Sequence, residues 1–402
     1  MKKEMNYTIE FYRFMFAINF IIVHGLMVIP IGYLKGFPLF VSALDIIVPF
    51  MAFSGYFMMA GFKKQQARGE LAEKGASKIA WEYLKKRVVA LFPLVLLGNL
   101  LGFIAINVWQ DTPLKEIPVR FLNAIGEFLG LFITGIGFGN PSVGKWGEGV
   151  RVLQCLNTPL WFMSGIFVVG YFVYFLLAYN EKLFSSLIAP AAILLFYGSN
   201  YQLDAAPMWY DIHNLGDLHI AEGMPLMFVG FSIGILLWYP VNALKDHQWT
   251  KGEKWFLTIV QIILTFIVFE RTWVSITSPF GQYFNIGWVN VHLLSIIFSF
   301  LVLLNVDYCT RFPLFSSKIW KIPGRLALYI YSIHFPLLVF LAMAMGFKGK
   351  ILSPETAPEL VPQLIKFGII GIIVSCVAGY LVMLLDTKVV QPKLQKKYFG
   401  KA

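Results

Sequence analysis

Apolar residues fall in long unbroken runs along this chain. The period-two alternation of a half-exposed sheet is absent. Ten runs approach or exceed the length a helix needs to cross a hydrocarbon core of ~30 Å at ~1.5 Å per residue. They cover residues 9–31, 39–62, 88–109, 159–180, 185–201, 220–240, 255–273, 286–306, 325–346 and 363–386, the fifth being the shortest. Segment 119–138 is semi-apolar and glycine-rich, and reads as a re-entrant or interfacial helix. The pattern predicts an all-α, polytopic membrane protein with about ten transmembrane helices. A single integral membrane domain fills residues 1–402, with a basic tail over 387–402.

The first run departs from pure apolarity. It carries Glu10, Arg13 and His24, and ionisable groups at membrane depth are costly enough to demand a role. Arg13 and His24 are eleven residues apart, about three turns plus roughly 20°, so they share one helix face ~16 Å apart along the axis. Glu10 lies one turn before Arg13 on the same stripe. Runs one and two form a tight hairpin turning near Leu34, which brings Asp45 to a depth similar to that of His24.

Composition agrees with the membrane reading. Of 402 residues, 58% are hydrophobic and only 14% charged, and mean hydropathy is +0.68. A soluble domain of this size exposes more charge. The net charge of +11 raises nucleic acid as a partner, but its distribution removes that reading. With the N-terminus inside, the cytoplasmic segments hold more than twice as many Lys and Arg as the outer ones. Segment 63–87 alone carries Lys63, Lys64, Arg68, Lys74, Lys78, Lys85, Lys86 and Arg87. This asymmetry predicts that both termini are cytoplasmic and that the basic loops face anionic lipid in the cell (inner) membrane. Cys155, Cys309 and Cys376 are too widely spaced for a metal or redox motif, and His213 with His219 lacks compact ligand spacing, so no metal is expected.

Each polar candidate has a structural reading beside a functional one. Arg13 can snorkel to the inner interface with Glu10 as its partner. His24 can be an interfacial imidazole, or a general base oriented by Asp45. Ser54-Gly55 fits close helix packing or a site hydrogen bond. Trp161 fits an interfacial anchor or a cavity wall, and Tyr331 with His334 form a one-turn pair in run nine.

Several blocks together resemble the acyltransferase-3 family of integral membrane acyltransferases. Glu10…Arg13…His24 is similar to the family's first helix. VPFMAFSGYF at 48–57 is similar to its aromatic run ending in Ser-Gly. YLKKRVVALFP at 83–93 matches its basic cluster, with Arg87 six residues before Pro93. NTPLWFMS at 157–164 resembles its Pro-Leu-Trp-Phe-x-Ser block, with Trp161 and Ser164. GRLALYIYSIHFPLL at 324–338 resembles its Tyr-x-x-His-x-Pro helix, with Tyr331, His334 and Pro336 in register. Two positions depart: Ala90 stands where many members carry a second Arg, and Val48 where one branch carries Asp. The likeness is to the stand-alone form, without an extracytoplasmic esterase-like domain.

The resemblance implies transfer of an acyl group, commonly acetyl, from cytoplasmic acyl-coenzyme A to a hydroxyl of a cell-surface glycan or lipid-linked sugar. Acyl-CoA is then a co-substrate, with no tightly bound cofactor. Partners are membrane lipids, the acceptor and, for completing transfer, a separate extracytoplasmic transferase. His24 is the candidate base or transient acyl acceptor, with Asp45 beside it. Arg13, Lys85, Lys86 and Arg87 are the candidate donor-phosphate ligands. Glu10, Ser54, Trp161, Ser164, Tyr331 and His334 support the site. The rival readings are a glycan or lipid transporter or flippase, whose polar stripe lines a permeation path, and an acyltransferase for a small molecule such as an antibiotic.

Overall fold

A computed structural model describes residues 6–28, 43–134, 136–138, 157–203, 212–215, 218–221, 223–277, 288–348 and 357–400. The elements are helices α1 (Tyr7–Val28), α2 (Ala43–Ala67), α3 (Glu70–Lys74), α4 (Ala76–Trp109), α5 (Ile117–Glu127), α6 (Trp161–Tyr179), α7 (Glu181–Leu183), α8 (Ala189–Leu203), α9 (Gly223–Ala243), α10 (Lys251–Thr277), α11 (Trp288–Leu304), α12 (Lys321–Ala344), α13 (Ala357–Leu385) and α14 (Gln391–Phe399). Each of the ten predicted runs overlaps one of these helices. Among the described residues, seven stretches are long and apolar enough to cross a membrane, within α2, α4, α7–α8, α9, α10, α12 and α13–α14. The described parts of α6 and α11 are apolar but shorter, and α1, with Glu10, Arg13, Asn19 and His24, lies outside that set.

The outward surfaces support a membrane protein. Leu96, Leu100, Ile104 and Val108 repeat every fourth residue along α4 and are exposed; Ile365, Ile369, Ile373, Val377, Leu381 and Leu385 do the same on α13. Apolar stripes of this length on a water-soluble surface would drive association.

One expectation changes. The basic segment 63–87 is mostly helical: α2 runs to Ala67 and α4 begins at Ala76, twelve residues before its apolar run. Apolarity marks where lipid begins, whereas Lys, Arg and Glu continue a helix readily. The tail likewise carries helix α14, joined to α13 by a π-helical turn at Asp386–Val390. Among the described residues the all-α class holds, with one small sheet beside the helices. Strands β1 (Ile136–Phe138), β2 (Ile212–Leu215) and β3 (Leu218–Ala221) form an antiparallel sheet in the order β1-β3-β2, with Ile220 opposite both Ile136 and His213. Strands of three or four residues are too short for alternation to be read.

Helix α12 is the hub, packing against α1, α4 and α13, while α2 packs on α9 and α11. The α2–α9 seam is built from small residues. A Cβ on Gly55 would collide with the Phe231 backbone, one on Gly230 with Met51, and one on Gly234 with the Ala52 carbonyl. Gly230 and Gly234 make a small-xxx-small pair, which lets two helix backbones touch.

Helix α4 shows how the interior handles a proline. Pro93 has no N–H for the Val89 carbonyl one turn earlier. The Gln391 amide donates to the carbonyls of Val89 (3.3 Å) and Ala90 (3.2 Å), and also to Asp386 Oδ1 (3.2 Å). Tyr329 donates to the other Asp386 oxygen at 2.9 Å. The polar start of α4 is thereby tied to α12 and to the C-terminal helices.

Gly234→Val should lower stability by about 1–3 kcal/mol through overpacking, read as a lower melting midpoint in detergent. A Gly198→Ala control, where a Cβ meets nothing, should be near neutral. Equal midpoints for wild type and Gly234→Val would refute the close seam.

Candidate active site

The site begins with a second proline. Pro336 lies inside α12 and leaves the Ser332 carbonyl without its helical donor. Asn157 supplies one: its Nδ2 donates to Ser332 O at 2.9 Å, and both residues are buried. The Tyr331 hydroxyl donates to the Pro159 carbonyl. Gly98 of α4 faces the same point, where a Cβ would collide with Ser332 O and Asn157. Segment 157–160, α4 and α12 therefore meet at one place.

His334 stands two residues beyond Ser332, fully buried. Its Nδ1 lies 3.1 Å from the Ile330 carbonyl and 3.0 Å from the Tyr331 carbonyl. Its Nε2 lies 2.7 Å from Nδ1 of His24, which is also buried. Phe20 stacks on the His24 ring at 5.8 Å, and Phe335 meets it edge-on at 5.7 Å. The expected stripe on α1 thus reaches across to α12 at His24. Two imidazolium rings cannot face each other in this way, because two N–H groups would point along one 2.7 Å line. The pair holds at most one extra proton.

A second polar feature lies about three turns away. A cleft of ≈ 240 Å³ is lined by Lys64 of α2, Arg68 in the turn that follows it, Tyr83, Lys86 and Arg87 of α4, and Tyr174 of α6. Its lining holds four cations and, among the described residues, no carboxylate. Tyr83 and Tyr174 stack at 4.3 Å, and the Arg87 guanidinium sits 5.2 Å from the Tyr83 ring centre. Arg68 is paired with Glu70 at 2.8 Å. Arg87 and Gly98 are eleven residues apart on α4, so the cleft lies ~16 Å along that helix from the level of Ser332.

The candidate residues divide as follows. His24, Tyr331 and His334 come together. Lys86 and Arg87 line the cleft, joined by Lys64 and Arg68. Lys85 turns away: its Nζ donates to the Tyr398 carbonyl at 3.1 Å and sits over Phe399. Arg13 is paired with Glu10 at 3.2 Å and is not among the cleft residues; Glu10 packs against Gly324 of α12. Ser54 donates back to the Phe50 carbonyl of its own helix at 3.0 Å, while Gly55 forms the α9 contact. Asp45, Trp161 and Ser164 lie in helices, but their side chains fall outside the described residues. The ring nitrogen of His24 that faces α12, Nδ1, meets His334.

Asn157 is a site residue that the sequence pattern does not single out, although it precedes the Pro-Leu-Trp-Phe block and a proline stands in α12. The sequence offers segment 63–87, with Lys64 and Arg68, as a topology anchor or a docking site for a phosphate-bearing substrate, without separating these two from its other cations. Among the described residues, no three His, Cys, Asp or Glu side chains converge as metal ligands. Burial pushes the Cys309 thiol up to about 11, so it stays protonated. Comparison with family models, curated proteins and solved structures found no match for this chain.

The capping role of Asn157 is open to a double-mutant cycle. Asn157→Leu strands the Ser332 carbonyl and should cost about 1–3 kcal/mol. In a Pro336→Ala background the helix regains its own N–H, so the same change should cost at least ~1 kcal/mol less. Equal costs in both backgrounds would remove the cap.

Proposed function

We propose that this chain is a multi-pass acyltransferase of the cell membrane. It moves an acyl group, commonly acetyl, from cytoplasmic acyl-CoA to a hydroxyl of a cell-surface glycan or lipid-linked sugar. In this reading ten helices span the bilayer, both termini are cytoplasmic, and the cationic cleft faces the cytoplasm. The observation that carries it is the pairing of a four-cation cleft with a buried histidine couple about three turns deeper in the same bundle.

The chemistry follows from those two features. Arg87 and Lys86, with Lys64 and Arg68, form charge-assisted hydrogen bonds to the donor phosphates. Arg87 is held over the Tyr83 ring, which limits the freedom it loses on binding. The acyl end of the donor extends toward the histidine level, and an acceptor hydroxyl gives its proton to His24 as it attacks the thioester carbonyl. The likeness of five ordered sequence blocks to acyltransferase-3 proteins supports this reading over a transporter.

The test uses purified protein in lipid nanodiscs with labelled acetyl-CoA and candidate glycan acceptors. His24→Ala should reduce transfer by about 10²–10⁴-fold. Lys86→Gln combined with Arg87→Gln should raise KM for acetyl-CoA about tenfold or more, with kcat little changed. Unchanged transfer in His24→Ala would sink its role. Acceptor movement across the bilayer without acylation would make the chain a transporter. Acylation of a small alcohol in preference to every glycan would move the acceptor class.

A further inference from the structure

The histidine couple contains a proton path beyond His24 itself. A backbone carbonyl only accepts hydrogen bonds, so His334 Nδ1, which faces two of them, carries a proton. In neutral His334 the other nitrogen, Nε2, then bears the lone pair. His24 Nδ1, 2.7 Å away, must be the donor to it. That leaves the lone pair of His24 on Nε2. The chain of donors runs one way, from His24 through His334 to the Ile330 and Tyr331 carbonyls.

We propose that His334 is a positioning residue and proton reservoir for His24, holding its ring as the Nδ1–H tautomer and taking up the Nδ1 proton when Nε2 gains one. The step rests on the acyl-transfer reading above. The acceptor O–H proton passes to His24 Nε2 as the acceptor oxygen bonds to the acyl carbon. The His24 Nδ1 proton moves to His334 Nε2, and His334 becomes the imidazolium. When the carbon–sulfur bond breaks, the His334 Nε2 proton returns to His24 Nδ1, and the His24 Nε2 proton passes to the CoA sulfur, which leaves as a thiol. Atoms and charge balance, and both histidines end as they began.

The physical case rests on matched partners. A carboxylate beside a histidine is far weaker as a base than imidazole, so it stabilises charge without taking the proton. Two imidazoles have the same intrinsic basicity, so moving a proton between them costs little. The two carbonyls on His334 Nδ1 favour the positive ring there. His24 has Phe20 and Phe335 around it and no such carbonyl contact among its described bonds. The remaining titratable side chain packed on the pair among the described residues is Tyr331, whose hydroxyl is engaged by Pro159. Asp45 belongs to α2, and its side chain lies outside the described residues.

The experiment combines solid-state 15N spectra of histidine-labelled protein with kinetics of wild type, His334→Gln and His334→Ala in nanodiscs, His24→Gln assigning the signals. In wild type, His24 should be protonated on Nδ1 alone, and acidification should add one proton to the pair, not two. In His334→Gln the introduced amide oxygen can accept from the His24 Nδ1–H but cannot take the proton. That variant should therefore keep the tautomer and lose about tenfold in kcat, with KM for acetyl-CoA unchanged. His334→Ala should lose the fixed tautomer and about 10²-fold in kcat. A wild-type His24 protonated on Nε2, or full kcat in both variants, overturns the proposal. If wild type transfers no acetyl group, the acyl-transfer reading falls, and the spectra still decide the proton arrangement. Should His334→Ala fail to fold, the wild-type and His334→Gln measurements decide alone.

Discussion

The Ser332 carbonyl has no donor within its own helix, because residue 336 is proline, and much of the bundle follows from meeting that need. In a hydrocarbon interior no water is at hand to satisfy a backbone oxygen, so the protein must bring a donor to it. Asn157 does so from the segment just ahead of α6, and Tyr331 returns the contact by bonding the Pro159 carbonyl. Gly98 lets α4 approach close enough to share the junction. One missing N–H thus sets the relation of three chain segments, and the same turn presents His334 to His24. The chain repeats the device at Pro93, where Gln391 serves the Val89 and Ala90 carbonyls and links the foot of α4 to α12–α14.

Polar groups divide by depth according to what each can tolerate. Imidazoles can be neutral, so a His–His couple fits the buried level of α1 and α12, each nitrogen of the bond facing a complementary one. Guanidinium and ammonium groups keep their charge and gather toward the helix ends. There Lys63 pairs with Glu181 at 2.6 Å and Arg68 with Glu70 at 2.8 Å. Among the described residues the cleft lining holds four cations and no carboxylate, which makes it receptive to an anion. Aromatic rings wall both features, with Tyr83 and Tyr174 at the cleft and Phe20 and Phe335 at the histidines.

Part of the site was legible because helix periodicity is local. Eleven residues between Arg13 and His24 mean one face whatever the rest of the chain does. Partner choice was not legible in the same way. Depth in a hairpin placed Asp45 near the level of His24, but no local pattern announced that His24 Nδ1 meets His334, 310 residues further along the chain. Adjacent basic residues likewise parted company. On a helix, successive side chains point about 100° apart, so Lys86 and Arg87 enter the cleft while Lys85 reaches α14.

Hydropathy by itself determined that the chain is a bundle of apolar helices, where most of them lie, and which helix carries ionisable groups inside it, since burial in lipid is written residue by residue as apolarity. It did not determine where α4 begins, because Ala76–Arg87 is helical yet polar. It did not reveal the three short strands either, which exist only through pairing across distant segments. Only the tertiary structure decided that α12 sits beside α1, that Asn157 and Gln391 answer the two prolines, and that Lys64 and Arg68 join Lys86 and Arg87. Those contacts depend on how close two backbones can come. A glycine such as Gly98 permits that closeness without announcing which helix will use it.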